Sequence, residues 1–203
     1  CWLFGQCTEQ DGICVASSDE DCEQSENCWS SGKCSVQDGV CVAGSDDDCG
    51  KSMDCNESGQ CTAQDGLCMV GSDEDCQDSN DCIDSGLCSL VDGACEASSD
   101  EDCLNSSDCK DEGQCTLING ECQAVSDEDC QKTQACTFDG KCSLDDGECV
   151  VGSDEDCAGS KACSEWGACS KQGSNCAPAS DEDCASSDGC LNNGACTYDN
   201  GMC

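Results

Sequence analysis

Histidine is absent from this sequence, arginine is absent too, and seven lysines stand against 45 acidic residues. Without imidazole there is no ready acid–base group, no C-x-x-C-H haem attachment and no histidine zinc ligand. With a formal charge of −38, there is no basic patch for nucleic acid or for an anionic membrane. Aromatic residues are 3% of the chain, and much of the nominally hydrophobic fraction is cysteine, so a conventional core of Leu, Ile, Val and Phe is not available. The single proline, Pro178, excludes proline-rich spacers. No apolar run approaches the length that spans a bilayer, and none reads as a secretory signal. A signal is therefore expected to have been removed or to lie outside this segment.

What the sequence does hold is 31 cysteines in 203 residues. That density marks a disulfide scaffold, in which cross-links take the part that apolar burial plays elsewhere. Disulfides in such number persist only in an oxidising place, so the expected location is extracellular or at the cell surface.

The cysteines follow C-x5-C-x5-C-x6-C-x7 with a period of 27 residues, without a slip as far as Cys203. Cys1 falls on this period and is read as a repeat cysteine, not a lipid-modified terminus. A fixed period of this length signals stacked repeats or an array. Drawn at the first cysteine, the repeats are 1–21 (partial), 22–48, 49–75, 76–102, 103–129, 130–156, 157–183 and 184–203, the last without its acidic linker. The linkers never change in length, which favours rigid stacking over beads on a string. The expected fold is a solenoid-like stack of small disulfide-rich units, each a short helix or helical turn plus a β-hairpin.

The hairpin rests on Asp38-Gly39 and its copies, the strongest short signal for a tight turn. With that turn, Val36 lies opposite Cys41, and Cys34 shares their face. The helix is expected to start at Ser45 as N-cap with Asp48 in the third position. It runs about three turns and ends at Gly59 in a left-handed conformation. Cys22, Cys28, Cys34, Cys41 and their equivalents are the disulfide residues. Three pairings are open within a unit, and cysteines six apart on one helix allow one bridge to the unit's own hairpin and the other to a neighbour. An odd cysteine total leaves at least one unpaired.

Each linker carries Ser-Asp-Glu-Asp or, once, Ser-Asp-Asp-Asp before the first cysteine. As a cap, Ser with first-turn acids suits the positive end of a helix. As a cation site, the recurring pairs Asp19 and Asp21, Asp46 and Asp48, Asp73 and Asp75, Asp100 and Asp102, Asp127 and Asp129, Asp154 and Asp156, and Asp181 and Asp183 offer hard oxygen ligands for calcium. The tetrapeptide resembles the Ser-Asp-Glu of low-density-lipoprotein-receptor class A modules, and that resemblance implies calcium. The sequence suggests no other cofactor, because thiolate sites bring their cysteines closer than these.

A hydroxyl follows every third cysteine: Thr8, Ser35, Thr62, Ser89, Thr116, Ser143, Ser170 and Thr197. In the hairpin it points outward with no evident structural task, so these eight are candidates for O-linked glycans. Asn56 and Asn105 open N-glycosylation sequons. A second recurring hydroxyl, Ser25 and its copies, is expected at mid-helix. Trp29 and Trp166 are expected to be partly buried against a neighbouring unit.

The pattern as a whole is similar to acidic cysteine-rich tandem repeats of bacterial secreted proteins. It implies a non-enzymatic structural protein, a stapled rod or filament that self-associates end to end or laterally. A calcium-dependent adhesion module is the alternative. Cations are the expected small partners, and neither nucleic acid nor a membrane span is expected.

Overall fold

The computed structural model describes residues 8–10 and 13–203, with side chains from Val15 onward. The side chains of Cys1, Cys7, Thr8 and Cys14, and with them the question of the odd cysteine, lie outside the described residues. The chain forms two compact units, 1–102 and 103–203.

In the first unit the order is β1 (Thr8–Gln10), β2 (Ile13–Val15), α1 (Asp19–Glu23), α2 (Glu26–Ser31), β3 (Ser35–Gln37), β4 (Val40–Val42), α3 (Asp46–Cys49), α4 (Met53–Ser58), β5 (Thr62–Gln64), β6 (Leu67–Met69), α5 (Asp73–Gln77), α6 (Asn80–Ser85), β7 (Ser89–Val91) and β8 (Ala94–Glu96). Next comes α7 (Asp100–Asn105). The second unit continues with α8 (Ser107–Glu112), β9 (Thr116–Ile118), β10 (Glu121–Gln123), α9 (Asp127–Cys130), α10 (Gln134–Asp139), β11 (Ser143–Asp145), β12 (Glu148–Val150), α11 (Asp154–Ala158), α12 (Lys161–Trp166), β13 (Ser170–Gln172), β14 (Asn175–Ala177), α13 (Asp181–Ala185) and α14 (Asp188–Asn193).

A full repeat is thus two short helices and a two-stranded antiparallel hairpin, reduced in the last repeat to a single bridge between Asp199 and Met202. The hairpin register is the one the turn dictates: Val36 pairs with Cys41 and Ser35 with Val42. Asp38 and Gly39 have φ of 50° and 80°, as a type I′ turn requires, and Asp and Gly tolerate that conformation. Gly173-Ser174 departs from the Asp-Gly pattern yet still closes β13 on β14. Only its first residue has positive φ, 66°, the Gly-first pattern of a type II′ turn.

The expected three-turn helix is instead two helices, broken where the second hydroxyl stands. Ser52 Oγ donates to the Cys49 carbonyl at 2.7 Å and accepts the Cys55 N–H at 3.1 Å. It closes one helix and caps the next. A serine that satisfies both helix ends inside the protein makes the break more favourable than a continuous helix through weak formers. Ser25, Ser79, Ser106, Thr133, Ser160 and Ser187 do the same, and all seven are buried. A boundary drawn at Cys22 or Cys49 falls inside the first helix, whose N-cap residue is Ser18 or Ser45.

The second helix ends as expected. Gly32 is left-handed, its N–H bonds to the Cys28 carbonyl, and the Lys33 N–H reaches the Asn27 carbonyl. That is a Schellman motif, and it recurs at Gly59, Gly86, Gly113, Gly140 and Gly167.

Both bridges of each unit are internal. The first cysteine pairs with the fourth, as in Cys22–Cys41, and the second with the third, as in Cys28–Cys34. The rule holds in all seven four-cysteine units. No bridge among the described residues reaches a neighbour, which settles the pairing that the sequence left open. The cause is the helix break: the turn at Ser25 lets both Cys22 and Cys28 face their own hairpin side. The first cysteine of each unit is fully buried, so the core of a repeat is largely sulfur.

Candidate functional site

The recurring chemistry lies where one unit meets the next. In the first unit of the chain α2 packs on α4 and α4 on α6; in the second, α8, α10, α12 and α14 pack in succession. The C-cap glycine sits under the following repeat. A Cβ on Gly32 would lie 2.6 Å from Cys68 Sγ and 2.8 Å from Cys49 Cα, and equivalent crowding surrounds Gly59, Gly113, Gly140 and Gly167. Glycine is thus required twice over, for positive φ and for close approach. Lys161 Nζ stands 4.1 Å from the Phe138 ring centre and joins α12 to α10.

The Ser-Asp-Glu-Asp motif divides its three acids among three tasks. The first aspartate holds its own unit's hairpin: Asp19, Asp46, Asp73, Asp127, Asp154 and Asp181 accept the N–H of Val36, Ala63, Leu90, Leu144, Lys171 and Tyr198 at 2.7–2.8 Å. The third acid holds the preceding hairpin. Asp48 accepts the Ser35 hydroxyl at 2.7 Å and the Gly44 N–H at 2.9 Å. Thr62, Ser89, Thr116, Ser143 and Ser170 donate in the same way to Asp75, Asp102, Asp129, Asp156 and Asp183. In Asp21 the same carboxylate accepts the Ser17 N–H. The middle acid, Glu20 or its equivalent, is exposed in every copy.

These contacts give the hairpin hydroxyls the structural task that the sequence did not reveal. Six of the eight glycan candidates already donate a hydrogen bond to a carboxylate, and a sugar on that oxygen would take the donor away. Thr197 is exposed, and Asn56 and Asn105 lie on the surface. Trp29 and Trp166 are also exposed, at 60% and 69%, which corrects the expectation of partial burial: the neighbouring helices pack by their glycine ends and leave these positions outside.

The aspartate pairs proposed for calcium are spread between two hairpins, not gathered. Among the described residues no three Asp, Glu or Cys side chains are arranged to hold a metal ion. A cation here would share these carboxylates with the N–H and O–H donors that they already accept. Lys132 pairs with Asp129 at 3.2 Å. Burial opposes the charge on Asp129, but the Val125 N–H, Lys132 and Ser126 outweigh it and hold the carboxyl below its ordinary value.

Polar clefts open at equivalent places between repeats. One of about 390 Å³ is lined by Ser58, Gln60, Asp81 and Gly93, and one of about 430 Å³ by Glu112, Gln114, Lys141 and Glu148. They occur where the hairpin tip stands away from the preceding strand. At Ala16 and Ala43 the tip is instead docked, with N–H bonds to the Gly39 and Gly66 carbonyls at 3.0 Å. Among the described residues no helix is long and apolar enough to cross a membrane.

No family model, curated protein or solved structure matches the chain.

Proposed function

We propose that the chain is an extracellular structural protein whose disulfide-stapled repeats stack into a rigid rod or filament without enzymatic activity. The observation that carries this reading is the repetition of one seam. Within each compact unit the same glycine seat and the same hydroxyl–aspartate bond join successive repeats, so the residues used elsewhere to build a unique pocket are used here to join copies. The disulfides fit an oxidising, protease-exposed setting, and the exposed middle acids keep the surface hydrated and mutually repelling.

Electron microscopy and solution scattering of the oxidised protein test it. Thin fibres or extended particles with a regular axial repeat are the expected result; freely jointed modules or globular particles overturn it. Thermal melting in chelator and in reductant separates the calcium-dependent adhesion reading. A midpoint lowered by reductant alone supports the rod, whereas a midpoint lowered by chelator supports the calcium module.

A further inference from the structure

The helix ladder of the first unit places a sequon between two exposed apolar side chains. Asn56, in Asn56-Glu57-Ser58, follows the second cysteine of its repeat. Trp29 and Ile83 hold the same position one repeat before and one after. Their helices, α2 and α6, both pack against α4, which carries Asn56. Trp29 is 60% and Ile83 55% exposed, and Asn56 is exposed between them. Trp29 and Ile83 are both large apolar side chains left facing solvent on the helices that flank the sequon.

We infer that Asn56 carries an N-linked glycan whose first sugars lie over Trp29 and Ile83. The side chain is suited to it. Asn56 Nδ2 donates one hydrogen to the Ser52 carbonyl at 3.0 Å; an amide nitrogen has two. Glycosylation joins Nδ2 to the anomeric carbon of an activated sugar donor. The bond from that carbon to the phosphate leaving group breaks, and one amide proton is lost. One N–H is left on Nδ2, and one is all that the bond to the Ser52 carbonyl uses. The less polar face of a sugar ring can then cover an indole face, with its hydroxyls left in water.

The inference rests on the extracellular reading only for access to glycosylating enzymes. The test uses the full chain with Trp2 and Trp166 changed to Phe, secreted from an N-glycosylating host, beside the same chain with Asn56→Gln. Peptide mapping is expected to find sugar on Asn56. Acrylamide quenching of Trp29 should be about twofold weaker in the glycosylated protein than after enzymatic deglycosylation or in N56Q. An unmodified Asn56 in a fully oxidised, folded chain overturns the inference and leaves the rod reading standing. So does an occupied Asn56 with no change in quenching. Failure of the rod shows separately, in scattering.

Discussion

A Cβ on Gly59 would meet the Asp75 carbonyl oxygen at 2.7 Å and Cys95 Sγ at 2.9 Å, on a backbone with φ of +70°. Gly194 has a similar φ, +74°, with nothing within 4 Å. Gly59→Ala is therefore expected to cost about 2–4 kcal/mol, and Gly194→Ala about 1–2 kcal/mol from φ alone. Denaturant melts under non-reducing conditions measure both, and equal losses would remove the seat from the account. The capping hydroxyl gives a second contrast. Ser52→Ala is expected to lose about 1–2 kcal/mol, while Ser52→Thr should be tolerated, because Thr133 makes the same two bonds in another repeat. Asp129 supplies a pH dependence. A carboxyl held below its unfolded value adds stability that is present above that value and is lost as pH falls through the folded one. Asp129→Asn should accordingly lower the melting midpoint at neutral pH and converge with the wild type in acid; a constant gap at every pH would contradict this.

At the scale of elements, the acidic motif acts as a two-sided fastener, with its outer aspartates on successive hairpins. Ser35→Ala removes one donor from buried Asp48, which keeps the Gly44 N–H, and should cost about 1–2 kcal/mol. The loss should appear as faster amide exchange confined to the β3–β4 hairpin and α3; uniform acceleration across the chain would argue against a local seam. Much of this was legible in the sequence. Asp38-Gly39 fixes the turn, the register follows from it, and Gly32 and Ser45 mark helix ends by backbone chemistry that needs no distant partner. The seam was not legible. Ser35 pairs with Val42 across the hairpin, and the Gly44 N–H holds Asp48 over that pair, a meeting set by the folded arrangement and not by either residue's type. Composition describes Ser35 as a polar residue on an outward strand face and says nothing of the carboxylate opposite. The choice among disulfide pairings was hidden for the same reason, since a straight helix points Cys22 and Cys28 apart and a bent one brings both to a single hairpin.

For the whole molecule, sulfur burial grades the repeats. In 103–129 all four cysteines are buried, Cys103, Cys109, Cys115 and Cys122 at 8% exposure or less, whereas Cys190, Cys196 and Cys203 of the last repeat are half-buried. Reduction followed stepwise by alkylation and peptide mass should open the last repeat early and 103–129 late. Simultaneous opening of all seven would mean that access to sulfur does not set the order. Because each first cysteine is tied to the fourth of its own unit, tension applied to the backbone is carried across Cys22–Cys41 by the bridge itself. The loop it closes stays furled. Only the eight steps from Cys41 to Cys49 can pay out when a seam yields, at most about 29 Å from the reach of an extended chain. Pulled from its ends, the molecule would lengthen in many small, even increments and recoil from each, like a shock absorber with built-in stops.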